Sequence, residues 1–165
     1  MKSTEIIDAL EAVDDDGDLG QTQAAATSRL FVFSVGELLF ALPPEVIREI
    51  VAGLEVYPLP ACPPYVPGLI NSHGEPHTVF DLRVLFENER QAVDKFLVLK
   101  LDDDSVAFGC SDVNEIVEVK LSEISTFADT EAEGRFCSAL FQLDGRQVMI
   151  LSVSHVLAQL EHDLG

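Results

Sequence analysis

Two histidines and a glutamate crowd the stretch from residue 73 to residue 77, which reads HGEPH. Imidazole and carboxylate groups are the ligands that zinc and other transition metals take in proteins. Two histidines four residues apart share one face of a helix, as in the HExxH zinc motif, but the intervening Gly and Pro disfavour a helix here. His73 and His77 could therefore converge on a metal only from a strand or hairpin. A small metal-dependent enzyme is one hypothesis, and a polar hairpin without chemistry is the other.

No other pattern in the chain indicates catalysis. The three cysteines, Cys62, Cys110 and Cys137, are far apart and form no CxxC pair, which predicts reduced, mostly buried thiols. The nucleotide-binding and nucleophile motifs GxGxxG, P-loop and GxSxG are absent from the sequence. We therefore expect a protein that is not an enzyme, with no catalytic residues, no metal site and no cofactor.

The charge balance limits the partners. The 165-residue chain has 29 acidic against 10 basic residues, which gives a formal net charge of −19. Nucleic acids and anionic membranes bind basic surfaces, and no apolar run is long enough to span a bilayer. We expect no nucleic acid and no direct membrane insertion. Basic or apolar protein partners remain, and solubility alone is the alternative explanation of the charge.

The first 28 residues differ from the rest of the chain. Residues 3–13 (STEIIDALEAV) could form a short amphipathic helix, and an acidic linker follows them. A flexible acidic segment over residues 1–28 is one interpretation, and a docking helix is the other. The segment lacks the apolar core of a secretion signal, which indicates a cytoplasmic protein.

From residue 29 onward the pattern is that of β-strands. Short segments rich in β-branched and aromatic residues are separated by Gly or Pro: RLFVFSV, LLFAL, VIREIV, LEVYPL, KFLVLKL, SVAFG, VNEIVEVK, FCSALFQL and RQVMIL. Helix is expected after Asp81, which would cap DLRVLFENE, and in the C-terminal SHVLAQLEHDL, with Ser154 as its cap. Short strands at this density predict an all-β barrel or sandwich with a short C-terminal helix.

The second half of the chain resembles the first. Matched pairs at offsets of 66 and 71 residues occur in the same order: Ala41 with Ala107, Glu49 with Glu115, Gly74 with Gly145, and Val79 with Ile150. Self-similarity of this kind indicates a repeated structural unit. It predicts two similar β subdomains, one over about 29–88 and one over about 95–157.

The repeat also bears on the histidines. Asp144 and Gly145 form a strong signal for a tight hairpin, because Gly accepts the positive φ that such a turn requires. By the repeat, His73 and Gly74 occupy the tip of an earlier hairpin. We therefore expect an exposed His73 side chain.

Three stretches resemble a known family: FSVGELLFALPPEVIREI, YPLPACPPYVPGLIN and VFDLRVLF. They are similar to the CheW family of chemotaxis coupling proteins, whose pattern includes a V-x-E-I strand, a proline-rich connector that leads into N-L-R-G, and a final D-L-R. The resemblance defines a CheW-like domain over residues 29–165. It implies two small five-stranded, SH3-like β-barrels packed about a shared core.

The resemblance implies a non-catalytic adaptor. Members of the family couple the cytoplasmic tips of methyl-accepting chemoreceptors to the regulatory domain of a CheA-type histidine kinase. The chain would then be a bacterial cytoplasmic protein, associated with receptor arrays at the inner membrane and able to self-assemble there. The alternative within the same fold is a scaffold of a type IV pilus or other non-flagellar pathway, with altered receptor coupling.

One departure from the family pattern supports that alternative. The family's N-L-R-G is NSHG here, so Ser72 and His73 stand where the family has Leu and Arg. The resemblance implies that this Arg contributes to receptor binding and pairs with the glutamate that corresponds to Glu49. Imidazole is shorter and cannot offer the two parallel hydrogen bonds of a guanidinium, so we expect receptor coupling to be altered.

By family position, Phe31, Pro44 and Ile47 fall on the kinase-binding surface. Phe31 and Ile47 could instead be core residues. Pro44 follows Pro43 in a predicted hairpin connection, where we expect it to be exposed because a proline pair cannot donate to a ladder.

By the same criterion, Glu49, His73 and Val113 fall in the receptor-binding groove between the two barrels. The receptor tip is helical in this family, which implies a helix bound in an apolar groove. An ordinary surface ion pair, for example between Glu49 and Arg83, is the alternative for the charged residues.

Overall fold

The computed structural model describes residues 26–90, 92–127 and 135–164. Of the segment 1–28, for which a flexible acidic segment or a docking helix is expected, residues 1–25 lie outside the described residues, and Thr27 and Ser28 already belong to the first strand. Within the described ranges the chain forms eleven strands and two α-helices. They are β1 (Thr27–Val35), β2 (Leu38–Leu42), β3 (Ile47–Ala52), β4 (Gly68–Ser72), β5 (Glu75–Phe80), α1 (Leu82–Glu87), β6 (Lys95–Leu99), β7 (Val106–Cys110), β8 (Asp112–Lys120), β9 (Ser125–Thr126), β10 (Cys137–Leu143), β11 (Arg146–Leu151) and α2 (Val153–Leu164).

These strands form two sheets. A six-stranded sheet has the order β8–β1–β2–β11–β10–β9, and a five-stranded sheet has the order β3–β6–β7–β5–β4. Neighbouring strands are antiparallel except in the pairs β2–β11 and β5–β7, which are parallel. The predicted fold class is confirmed as a mostly β chain with two sheets and a short C-terminal helix.

The two sheets share one strand plan, which confirms the repeat. The order β8–β1–β2–β11–β10 in one sheet matches β3–β6–β7–β5–β4 in the other, with the parallel pair in the same place. Ala41 pairs with Ile150 in the first sheet, and Ala107 pairs with Val79 in the second. Ala107 is thus the equivalent of Ala41 at the offset of 66 residues, and Ile150 is the equivalent of Val79 at the offset of 71. The residues that match in sequence therefore occupy the same paired positions in the two sheets.

Each sheet nevertheless takes strands from both halves of the chain. β1 and β2 pair with β8 and β11 from the second half, while β6 and β7 pair with β3 and β5 from the first. The division at about residues 88 and 95 stays a prediction about the sequence repeat, and the strand pairing crosses it. Apolar patterning shows which face of a strand is buried but not which sheet the strand joins.

The exchange also corrects two local predictions. The prolines after β2 do not lie in a hairpin, because β2 and β3 belong to different sheets and the connection passes from one to the other. The segment LEVYPL is not a strand, and within it Tyr57 makes only an isolated bridge to Leu69. Prolines follow Tyr57 closely, and they have no N–H to extend a ladder.

Both helices begin near a polar residue, one of them as predicted. The Asp81 carboxylate accepts hydrogen bonds from two backbone N–H groups of the first turn of α1, at 3.0 and 3.2 Å, which confirms the predicted cap. In α2 the N–H of Val156 donates to the carbonyl of Ser152 at 3.1 Å. Ser154 therefore lies inside the first turn, and its prediction as the cap is wrong.

Apolar residues form three clusters. The largest joins both sheets and both helices and includes Phe33, Phe40, Phe80, Phe108 and Val156. A second cluster comes only from the six-stranded sheet and a third only from the five-stranded sheet. Each sheet thus buries apolar side chains on both faces, and the largest cluster is the shared core that the resemblance implied.

A polar network ties α2 to the proline-rich connector. The hydroxyl of Tyr65 donates to Oδ2 of Asp163 at 2.5 Å, and Nε2 of Gln159 donates to the same oxygen at 3.0 Å. Arg135 donates to Oε1 of Gln159 at 2.7 Å. The end of α2 is therefore held against the segment that leads into β4.

Candidate functional site

The candidate site begins at the turn between β4 and β5. His73 and Gly74 form this turn with φ values of 54° and 80°, and Asp144 and Gly145 form the equivalent turn with 52° and 79°. Two consecutive positive φ values characterise the tight turn that matches strand twist in hairpins. The predicted hairpin tip is confirmed, and the His73 side chain is 77% exposed, as expected.

Glu49 lies against this tip. Nε2 of His73 is 3.0 Å from Oε1 of Glu49, and the hydroxyl of Ser72 donates to Oε2 at 3.3 Å. Glu49 is on β3 and Ser72 on β4, the two edge strands of the five-stranded sheet. These contacts, which we call the Glu49 clamp (Glu49, Ser72 and His73), therefore join the two edges through side chains.

A second contact joins the same part of the sheet. Nη1 of Arg48 on β3 is 3.8 Å from Oε2 of Glu75, the first residue of β5. Both side chains are exposed, so the pair contributes at most about 0–1 kcal/mol to stability. Its effect is to place one cation and one further carboxylate beside the clamp.

Ser72 is a member of the site whose role the sequence pattern does not predict. Its side chain is buried, with 5% exposure, whereas that of His73 points to solvent. The signal was the replacement of a family leucine by a hydroxyl next to the replaced arginine. A guanidinium can bind both oxygens of one carboxylate, and here two residues bind one oxygen each.

The other predicted receptor-side residue, Val113, lies in the other sheet. It is on β8, pairs with Phe33 and packs, partly buried, against the shared core. Glu49 pairs with His73 and not with Arg83, so the suggested pairing is wrong, but an ordinary ion pair stays the alternative for Glu49 and for Arg83. Its guanidinium contacts Glu87 at 3.3 Å and a second carboxylate, on Glu89, at 2.6 Å.

The predicted kinase-side residues differ in burial. Phe31 is 8% exposed, belongs to the shared core, and its ring centroid lies 6.4 Å from that of Phe33. Ile47 on β3 is partly buried against the same core. Pro44 opens a short 3₁₀ turn and is only partly exposed, while Pro43 is buried. Pro44 and Ile47 therefore reach the surface, and Phe31 supports it from below.

The arrangement of His73 and His77 does not support the hypothesis of a metal site. No cluster of three or more His, Cys, Asp or Glu side chains suited to a metal ion occurs in the described ranges. His73 is exposed at the tip, whereas His77 is 3% exposed on β5. Burial raises the pKa of the Cys110 thiol to about 12, which makes it a poor nucleophile.

Comparison with known proteins agrees with the fold. The CheW-like domain family matches residues 29–161. The chemotaxis protein CheW of Helicobacter pylori is 27% identical over 129 residues, which span 76% of this chain and 78% of that protein. The crystal structure of the scaffolding protein TtCheW from Thermoanaerobacter tengcongensis matches with a TM-score of 0.68 and 18% identity, over 77% of this chain and 90% of that one. At 18% identity this second likeness concerns the fold alone.

The two-sheet fold and the match over most of its length define a scaffolding or coupling domain. The chain belongs to the CheW-like domain family. It is a CheW-like scaffold of chemotaxis signalling, distantly related to the proteins above, and the family couples CheA to chemoreceptors. This family is non-catalytic, which removes the enzyme hypothesis. In the part of the chain that the structure describes, no helix has the length and apolarity to cross a bilayer.

Proposed function

We propose that this chain is the cytoplasmic adaptor that couples methyl-accepting chemoreceptor tips to the regulatory domain of a CheA-type histidine kinase, in arrays at the bacterial inner membrane. The observation that carries the proposal is the Glu49 clamp. It fixes a carboxylate and an exposed imidazole at the positions where the family pattern has its receptor-binding Glu and Arg. No bond-forming chemistry is required of these groups, because binding alone transmits the signal.

On the receptor side, the clamp holds Glu49 in one place and leaves His73 available to a partner. Both oxygens of the carboxylate are engaged, so the side chain loses little freedom when a partner binds. Val113 would add an apolar contact from β8, which is the equivalent of β3 in the other sheet.

On the kinase side, Pro44 and Ile47 form a small apolar corner where the chain passes from one sheet to the other. Proline fixes the backbone of this corner before binding, which reduces the entropy lost in the complex. Phe31 would act indirectly, by holding β1 against β2 beneath the corner.

The experiment is a titration of the full chain with the regulatory domain of the CheA-like kinase and, separately, with a receptor-tip fragment from the same genome. His73→Ala should weaken receptor binding several-fold and leave kinase binding unchanged, and Pro44→Glu should do the reverse. The repeat supplies a matched control, since Asp144→Ala alters the equivalent turn in the other sheet and should change neither affinity. If the wild-type chain binds neither the kinase domain nor the receptor tip, the proposal is overturned.

The second candidate is a scaffold of a type IV pilus or other non-flagellar chemosensory pathway. The observation that favours it is the replacement of the family arginine by His73 and the division of its role between two residues. If the wild type binds only the kinase and His73→Arg restores binding of a receptor tip, receptor coupling has been redirected and this candidate holds. Sedimentation of the purified chain tests self-assembly, which would appear as species larger than the monomer at high concentration.

A further inference from the structure

Two adjoining hollows lie on the five-stranded sheet, separated by the loop between β6 and β7. The larger, of about 530 Å³, lies between this sheet and α2, and the smaller, of about 240 Å³, lies beside β3 and β5. Asp103, Asp104 and Ser105 line both. The loop is therefore a shared wall, and one bound segment could contact both hollows.

The larger hollow has an apolar floor and an acidic rim. Leu69, Leu157 and Leu160 contribute apolar surface, and Asp103, Asp104 and Glu161 contribute carboxylates at its edge. No basic residue lines it in the part of the chain that the structure describes. An apolar floor with carboxylates along the rim complements an amphipathic segment that carries cations.

The apolar surface continues along α2 toward the end of the helix. Leu157, Leu160 and Leu164 are three and four positions apart and so lie on one face. The first two are only partly buried, and Leu164 is 60% exposed. The stripe is thus incompletely covered by the protein's own core.

The smaller hollow is polar and contains a buried imidazole. His77 lines it with 3% exposure, and Nδ1 of this residue has no hydrogen-bond partner among the described residues. The rest of the lining is mainly acidic, with Asp102 beside the shared wall, and Arg48, the one cation among the described residues that line it, is already paired with Glu75. The carboxylates of this lining complement a cationic side chain from a bound chain.

We propose that this surface, which we call the acidic groove (the two hollows and the loop 102–105), binds a basic amphipathic helix of another protein. The apolar face of that helix would pack on the stripe of α2, and one of its long basic side chains would enter the smaller hollow. The net charge of −19 favours the approach of such a partner over long range. The inference does not depend on the adaptor proposal, because neither Glu49 nor His73 lines either hollow.

The amino-terminal segment of the chain is the competing occupant, and its charge disfavours it. Residues 3–13 carry three acids, Glu5, Asp8 and Glu11, and no base. Against a rim of Asp103, Asp104 and Glu161 these charges would repel.

The test uses three synthetic peptides of about five helical turns, or about 18 residues. One has leucines on one face and lysines on the other, the second has glutamate in place of lysine, and the third scrambles the leucine–lysine sequence so that no apolar face forms. Each is titrated into the full chain, with binding followed by fluorescence anisotropy and the affected residues located by amide NMR. The leucine–lysine peptide should bind, shift resonances of α2 and of the loop 102–105, and perturb the His77 ring signals.

Two triple variants test the location. Asp103→Asn/Asp104→Asn/Glu161→Gln removes the rim charges, and the matched Asp112→Asn/Glu115→Gln/Glu118→Gln removes three exposed acids from β8 in the other sheet. The rim variant should raise the Kd by about tenfold or more, and the control by less than about twofold. Equal weakening by both, equal binding of the scrambled peptide, stronger binding of the glutamate peptide, or no binding at all would each overturn the proposal.

Discussion

Nε2 of His73 and Oε1 of Glu49 lie 3.0 Å apart, although the two residues come from opposite edges of the five-stranded sheet. Glu49 lies on β3 and His73 in the turn after β4, and these two edge strands share no backbone hydrogen bonds. The link between the two edges is therefore made by side chains. Ser72 holds the second oxygen from a buried position. The carboxylate is thus fixed by one buried and one exposed partner, and these should differ in energetic weight.

Ser72→Ala should destabilise the domain more than His73→Ala. Loss of the buried hydroxyl leaves one oxygen of Glu49 without its donor, which typically costs about 0.5–1.5 kcal/mol. The exposed His73 pair is solvent-screened, so its loss should change the free energy of unfolding by less than about 1 kcal/mol. Urea unfolding of both variants, each also made in a Glu49→Gln background, measures the couplings. A larger effect of His73→Ala would show that the exposed contact dominates the closure.

Gly68→Ala should be far more damaging than Gly74→Ala. A Cβ at residue 68 would lie 2.1 Å from the carbonyl oxygen of Tyr57, a backbone atom that cannot move aside without breaking the bridge to Leu69. A Cβ at residue 74 meets nothing within 4 Å, so only the positive φ of 80° is unfavourable there. We expect a loss of about 1–2 kcal/mol for Gly74→Ala and more than about 3 kcal/mol, or failure to fold, for Gly68→Ala. Thermal unfolding of the two variants measures this, and similar midpoints would contradict the close approach.

Tyr65→Phe should lower stability in a way that depends on pH. Burial, and then the hydrogen bond to Asp163 and its charge, raise the pKa of Tyr65 above its ordinary value. The hydrogen bond from Tyr65, and then that from Gln159, lower the pKa of Asp163. The raised pKa of Tyr65 gives a contribution to stability that is fully present below about pH 10 and is lost as the pH rises above it. The lowered pKa of Asp163 gives a contribution that is present above about pH 4 and is lost as the pH falls.

The difference in melting temperature between wild type and Tyr65→Phe should therefore be largest between about pH 4 and pH 10 and shrink on both sides. Scanning calorimetry across this range measures it. The chain's only other tyrosine, Tyr57, is 53% exposed, so Tyr57→Phe is the matched control and should show no such profile. A difference that stays constant with pH would mean that the Tyr65–Asp163 bond does not govern it.

The folded protein should be alkylated at Cys62 before the other thiols. Cys62 is partly exposed, whereas Cys110 and Cys137 are buried, and burial raises the pKa of Cys110 to about 12. Reaction needs both access and thiolate, so treatment with iodoacetamide at about pH 8 should add one label to the folded chain and three after unfolding in urea. Mass spectrometry counts the labels, and Cys62→Ser should add none while folded. Early labelling of Cys110 would indicate local opening of β7.

Much of this architecture was predictable because the repeat is visible in the chain. The matches of Ala41 with Ala107 and of Val79 with Ile150 reflect real register pairs, and the Gly74 and Gly145 turns follow from the φ that a tight hairpin requires. The exchange of strands between the sheets was not predictable. A half-buried strand has the same apolar pattern whichever partner it pairs with, so the pattern could not show that the chain changes sheets after β2.

The site was predictable in part for a related reason. Glu49 and His73 were placed together by the family pattern, and the structure brings them into contact. The family pattern marks Ser72 only as a replaced leucine; its role was not predictable, because a serine in a strand has no characteristic spacing and its partner is a carboxylate 23 positions away. The ion pair of Arg83 with Glu87 follows from helix geometry, since residues four apart meet on one face of α1.

Because each sheet takes strands from both halves of the chain, the order of synthesis at the ribosome limits when a sheet can form. β1 and β2 are made before the other strands of the described residues, but β2 lies between β1 and β11, and β11 is the last strand in that part of the chain. The six-stranded sheet therefore cannot be completed until β11 has been made, and its earliest strands wait with apolar faces uncovered. Long-range pairing of this kind slows folding and exposes the nascent chain to aggregation. Neither half, expressed alone, would contain the strands needed to build either sheet.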